Sequence, residues 1–225
     1  MKMIAALAMD RISIRLAMLG LILGWQAPAL IAQQGICREY KLESGSRLRL
    51  EGTATIGEYK CETRAIDGLG MLGRNTGRDS GSADSGLASD EVRVSMFVRS
   101  FECGKRAMNS DMYNAMKADS FPSIEYKLVH AEILTDSETV DSARTLDTVG
   151  ELTIAGVTRL VGMSVRITRM SPRRFRVLGS KDLSMHDFGV TPPTALWGLI
   201  KADDKLVVSF DLVATEELPE QKKGE

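Results

Sequence analysis

Aromatic side chains are scarce in this chain, at 5% of its residues, and histidine occurs only twice, as His130 and His186. Two imidazoles among scattered carboxylates form no ligand cluster, so the sequence calls for no metal and no cofactor. They also leave little for a Ser-His-Asp relay, whose base must reach both a nucleophile and an orienting acid. His186 and Asp187 are neighbours that point to opposite faces of an extended chain, and His130 has no nucleophile elbow near it. Charge of one sign is missing too, the net being −1 with neutral histidines. No basic run exceeds Arg173-Arg174 or Lys222-Lys223, and neither is interleaved with rings, which removes the electrostatic case for nucleic acid. The three cysteines, Cys37, Cys61 and Cys103, never approach Cys-x-x-Cys spacing, which disfavours a zinc or redox motif.

Two motifs lack the context their chemistry needs. Gly68-Leu-Gly-Met-Leu-Gly73 spells G-x-G-x-x-G, but a Gly/Ser-rich stretch follows it where a dinucleotide site requires a helix. Asp187-Phe188-Gly189 has no kinase strand lysine or His-Arg-Asp loop to accompany it. Both read as ordinary backbone.

What is present begins with a polarised N-terminal segment. Lys2, Arg11 and Arg15 precede an apolar run, Leu16–Trp25, and small residues at Ala27, Ala29 and Ala32 follow. This is the layout of a signal peptide over 1–32, cut near Ala29 or Ala32, and it predicts a periplasmic or secreted protein. The alternative, an uncleaved anchor, meets a run that stops at Gln26 and Pro28, short of the roughly 20 residues a span requires. Export permits a disulfide, and three cysteines leave one thiol over. Cys61 with Cys103 is the preferred pair; bulky Ile36 argues against Cys37 as a lipid acceptor.

Beyond residue 38 the period is two. Leu48 and Leu50, then Val92, Val94, Met96 and Val98, alternate with charged residues. The same holds for Ile124, Tyr126 and Leu128, for Val165 and Ile167, for Phe175 and Val177, and for Leu206 through Leu212. One dry and one wet face per strand means antiparallel sheet. About eight strands are expected, near 40–54, 58–68, 91–102, 123–134, 145–156, 158–170, 173–184 and 205–215, which predicts an all-β barrel or sandwich over 39–216. One helix interrupts them, expected over 110–119 with Asn109 or Ser110 as its cap and Met112 and Met116 on its apolar stripe. Residues 73–90, poor in large apolar side chains, read as a flexible loop, and 217–225 as a charged tail.

An eight-stranded barrel is filled by its own side chains or holds one small ligand. Slim Val, Leu, Ile and Met on the dry faces favour the second outcome. The residues expected to meet an apolar ligand are Val94, Met96, Val98, Met112, Met116, Ile124, Tyr126, Leu128, Ile154, Val165, Ile167, Phe175, Phe188, Trp197 and Phe210. The mouth is expected beside Tyr113, the helix and the Pro192–Trp197 turn, with loop 73–90 as a lid.

Several stretches resemble the YceI-like family of exported lipid-binding barrels. They are Gly52-Thr-Ala-Thr-Ile-Gly-Glu-Tyr-Lys-Cys61-Glu, the run Cys103 to Ala118 leading into Phe121-Pro122-Ser-Ile124-Glu-Tyr126, Gly150-Glu-Leu-Thr-Ile154-Ala-Gly-Val157-Thr158, and Met185-His-Asp187-Phe188-Gly189 running to Trp197. They fall in order across most of 40–214. Gly57-Glu58-Tyr59 stands where the family has His-Asp-Trp, and 73–90 resembles an insertion. The resemblance implies a lipocalin-like antiparallel barrel, an exported location, binding of polyisoprenoid or related lipid, and no enzyme activity. It also implies cysteines paired at 61 and 103. The expected function is therefore a carrier or store for an isoprenoid-like or fatty lipid, with a homodimer left open. The competing readings are a solid-cored envelope interaction or stress protein, and an enzyme acting on an apolar substrate.

Overall fold

A computed structural model describes residues 37–73, 91–135, 143–195, 197 and 199–218. The expected signal peptide, nearly all of the expected loop 73–90 and residues 219–225 of the tail lie outside the described residues.

The first expected strand forms as two pieces, β1 (Cys37–Leu42) and β2 (Arg47–Ala54). A Glu43–Ser46 turn breaks it, closed by the Ser46 amide donating to the Glu43 carbonyl at 3.0 Å. The turn does not leave backbone groups stranded. The Glu43 amide donates to the Val213 carbonyl at 2.8 Å, and the Val213 amide donates to Ser46 Oγ at 3.1 Å. The second expected strand is likewise split, into β3 (Glu58–Thr63) and β4 (Ile66–Gly73), with Thr63 Oγ1 accepting from the Ala65 amide at the break.

The remaining strands are β5 (Glu91–Phe97), β6 (Ser123–Thr135), β7 (Ala143–Ile154), β8 (Val157–Ser171), β9 (Arg174–Ser184), a two-residue β10 (Thr194–Ala195) and β11 (Ile200–Glu216). All pairings are antiparallel, and the ring closes because β11 pairs β9 on one side and both β2 and β1 on the other. With each split strand taken as one, this is the expected closed eight-stranded barrel. The Ile154-Ala-Gly-Val157 stretch makes the tight turn between β7 and β8. Ala155 and Gly156 both take positive φ, 49° and 81°, the hairpin conformation that matches strand twist.

The helix, α1, runs Arg106–Ala115, four residues ahead of the expected start. Asn109 is not its cap. Its side chain accepts from the Cys103 amide at 2.7 Å and donates to Glu102 at 2.6 Å, fastening the approach to the helix. Lys117, at φ 52°, turns the chain out of the helix. The helix packs over one barrel end, where Phe101 and Val98, both 0% exposed, meet Met96, Ile124 and Ala118. Met108, Met112 and Met116 cover this cluster, and a second one of Ala155, Val161, Phe188 and Val190 adjoins Ala115 and Met116. The expected disulfide is present, Cys61 to Cys103, joining β3 to the segment before α1.

Candidate functional site

The strand registers decide which side chains face inward. Leu48 and Leu50 pack on the buried cluster, and Phe210 and Val208 lie opposite them. Gly179 and Lys181 lie opposite those in turn, then Val165 opposite Gly179 and Leu146 opposite Val165. This row is the inner wall; residues one place along each strand face solvent.

Three rings lie flat on that wall because a glycine sits beneath each one. A Cβ at Gly52 would collide with the Tyr59 ring, one at Gly150 with Tyr126, and one at Gly179 with Phe210. A ring that lies against the sheet projects less into the lumen than one standing off a side chain. Tyr126, Leu128, Ile167, Phe175 and Phe210 face inward yet are only half-buried. In a barrel filled by its own atoms such residues would be buried outright.

The expected ligand contacts therefore separate into groups. Those five line the lumen, with Val165 buried in the same wall at 7% exposure, whereas Val94 and Ile154 pack against the clusters under the helix. Met96, Val98, Ile124 and Phe188 belong instead to the solid packing under the helix, and Met112 and Met116 cover it. Trp197 is 100% exposed on a turn with φ 54° and contacts no lumen residue. The expected mouth beside Tyr113 is filled, since the Tyr113 hydroxyl donates to the Phe101 carbonyl at 2.7 Å and the helix is packed beneath it. The opposite end is where β6 finishes and β7 begins. There Tyr40 and Phe175 meet edge to face at 5.7 Å, and the Arg169 guanidinium lies 5.5 Å over the Phe175 ring.

Polar groups on the inner wall escaped the sequence reading. Thr148, 7% exposed, donates to the Met163 carbonyl at 2.9 Å. The Tyr59 hydroxyl is buried with no hydrogen-bond partner, and burial, then nearby Asp203, pushes its ionisation upward. Burial likewise raises Tyr126, against a hydrogen bond from Thr148 that lowers it. Lys181 faces inward opposite Val208. Carrying the Phe175, Val177 alternation two steps further places Gly179 and Lys181 on the same face, so the pattern was available.

The outer wall carries an open groove of about 700 Å³ over β2, β11, β9, β8 and β7, lined by Arg47, Arg49, Arg166, Arg176 and Asp211 among others. Its charges are largely paired. Arg176 grips Asp211 at 2.7 and 2.8 Å, Arg47 adds a contact at 3.0 Å, and Arg49 reaches Glu62 at 3.3 Å. The Arg176 hydrogen bond, seconded by Arg47, holds the Asp211 carboxyl down at about 2. His130 is exposed on β6, and His186 Nδ1 lies 2.5 Å from Asp204, which also accepts from Ser184 and the His186 amide. Among the described residues no group of His, Cys, Asp or Glu could hold a metal ion.

Comparison with known proteins agrees with this geometry. Residues 62–214 match the YceI-like domain. A polyisoprenoid binding domain from Saccharophagus degradans, implicated in plant cell wall breakdown, superposes with a TM-score of 0.58 at 14% identity, covering 79% of this chain and 98% of its own. Burkholderia cenocepacia BcnA gives a TM-score of 0.58 at 16% identity over 77% of this chain and 99% of its own. No curated protein matches by sequence.

Proposed function

The chain belongs to the YceI-like family, and on that premise we propose that it is an exported carrier or store for an isoprenoid-like or fatty lipid held along the barrel axis. One observation carries the reading: inward-facing apolar side chains on four strands remain half-buried, which supports a lumen that the protein's own atoms do not fill. Binding is driven by removing hydrocarbon from water, at about 25 cal/mol per Å², and the polar groups on the wall orient the guest. That a structural neighbour is a polyisoprenoid binding domain supports the ligand class.

Export is supported by the basic, apolar and small-residue order of 1–32 and by the Cys61–Cys103 bridge, which suits an oxidising compartment. No covalent chemistry is assigned. His186 is engaged with Asp204 and His130 faces solvent, and among the described residues no hydrogen bond joins either imidazole to a hydroxyl or thiol, which gives the enzyme reading little support. A solid-cored interaction protein fits the half-buried inner wall less well.

Extracting the purified protein into organic solvent and examining the extract by mass spectrometry tests the proposal. A co-purified long-chain lipid is expected. A clean extract, together with no uptake of added polyprenol, would overturn it.

A further inference from the structure

The inner wall carries a charge that nothing among the described residues answers. On β9, Phe175, Val177, Gly179, Lys181 and Leu183 alternate inward, and the Phe210 ring lying on Gly179 fixes that face. Lys181 stands opposite Val208, which stands opposite Leu50. Its neighbours along and across the sheet are Gly179, Leu183, Leu206 and Phe210, with no carboxylate among them. No ion pair or hydrogen bond engages its ammonium among the described residues. The outward basic residues nearby are treated otherwise: Arg47, Arg49 and Arg176 each meet an acid.

One row further toward the helix-covered end lies a second unanswered group. The Tyr59 ring crosses Gly52, which pairs Leu206, which pairs Leu183. Its hydroxyl is buried and unpartnered. Burial keeps it protonated, so it is a donor with no acceptor. Asp203, whose charge acts on Tyr59, is exposed and accepts a hydrogen bond from Thr53. The buried hydroxyl is costly unless an acceptor reaches it, and the half-buried Lys181 one row away offers that acceptor a charge to pair with.

We propose that Lys181, aided by the Tyr59 hydroxyl, binds an oxyanion head, so that the guest is a long-chain amphiphile ending in a carboxylate or phosphate. The head sits toward the helix-covered end and the chain runs past Phe210 toward Phe175. This rests on the carrier reading and narrows it, since a neutral isoprenoid leaves both groups unsatisfied.

The test measures affinity by displacement of a fluorescent lipid, using hexadecanoate against hexadecanol and polyprenyl phosphate against polyprenol. Wild type should prefer each acid over its alcohol by at least tenfold, and the acid favoured more shows which oxyanion the wall fits. Lys181→Met should remove that preference, and an unfolding midpoint close to that of wild type reports that the barrel is intact. Lys181→Arg should keep it, and Tyr59→Phe should lose part of it. An equal affinity of wild type for acid and alcohol, or an unchanged preference in Lys181→Met, would refute the anion site and leave the carrier standing. Failure of wild type to take up any of the four would bring down the carrier reading, and this inference with it.

Discussion

The Phe210 ring lies directly on Gly179, its partner across the β11–β9 pair, where a Cβ would overlap ring atoms. The glycine is a recess in the wall. Replacing it with alanine leaves the backbone undisturbed and swings the ring into the lumen, so Gly179→Ala should reduce lipid uptake. Stability should move by no more than about 1 kcal/mol, because the change also stiffens the unfolded chain. Gly162→Ala serves as the control, since a Cβ there meets nothing closer than 3.9 Å. Equal uptake by both variants and wild type would show that the recess does not set the lumen's capacity.

The packing beneath α1 is a stability element distinct from the lumen. Phe101 is 0% exposed and anchors it. Phe101→Ala should destabilise the protein by about 3–5 kcal/mol, the usual range for emptying such a site. Lipid affinity at low temperature should stay within a few-fold. Urea unfolding beside a binding titration separates the two, and a large affinity loss in a protein still fully folded would contradict the division.

The Cys61–Cys103 bridge closes a loop with a sequence separation of 42 residues. Replacing both cysteines with alanine should lower stability by about 2–4 kcal/mol, mostly by freeing the unfolded chain. Unfolding followed with and without dithiothreitol should show the same decrement in wild type and none in the double variant. A dithiothreitol effect that persists without both cysteines would exclude this bridge as its origin.

Acid should loosen the wall in a defined window. Arg176, then Arg47, lowers the Asp211 carboxyl to about 2, and Arg174 and Thr215 lower Glu43. A depressed carboxylate stabilises the fold above its unfolded value near 4, and that contribution disappears as pH falls through the folded value. For Asp211 it amounts to at most about 2 kcal/mol, less because Arg176 and Arg47 are 43% and 44% exposed. Asp211→Asn should flatten the loss of stability between about pH 5 and pH 2 relative to wild type. Parallel acid curves for the two proteins would assign the loss to other groups.

The barrel was legible because alternation is a property of consecutive residues: Val92 to Val98 and Leu206 to Leu212 each declare a face without help from the rest of the chain. The breaks at Glu43–Ser46 and Arg64–Ala65 were not, because each depends on partners far away in sequence, such as Val213 and Ser100. The helix start was misplaced because Asn109 has the chemistry of a cap but spends it on Cys103. Alternation also cannot tell a lumen residue from a plug residue on the same face. Ile124 and Leu128 share a strand and a side, yet the packing under α1 buries the first and leaves the second half-buried. Trp197 looked like a lining residue by its bulk alone, and the turn geometry sends it outward.

β11 holds β9 along one edge and both β2 and β1 along the other, so residues near 40 and near 215 must meet before the cylinder is complete. Such a seam joins chain segments made earliest and latest in this domain, and contacts that distant in sequence form slowly. While β11 is still being synthesised the earlier strands have a raw edge and no finished interior. The polypeptide thus stays open for most of its production, the condition in which a chain can be threaded through a narrow pore and shut only on the far side.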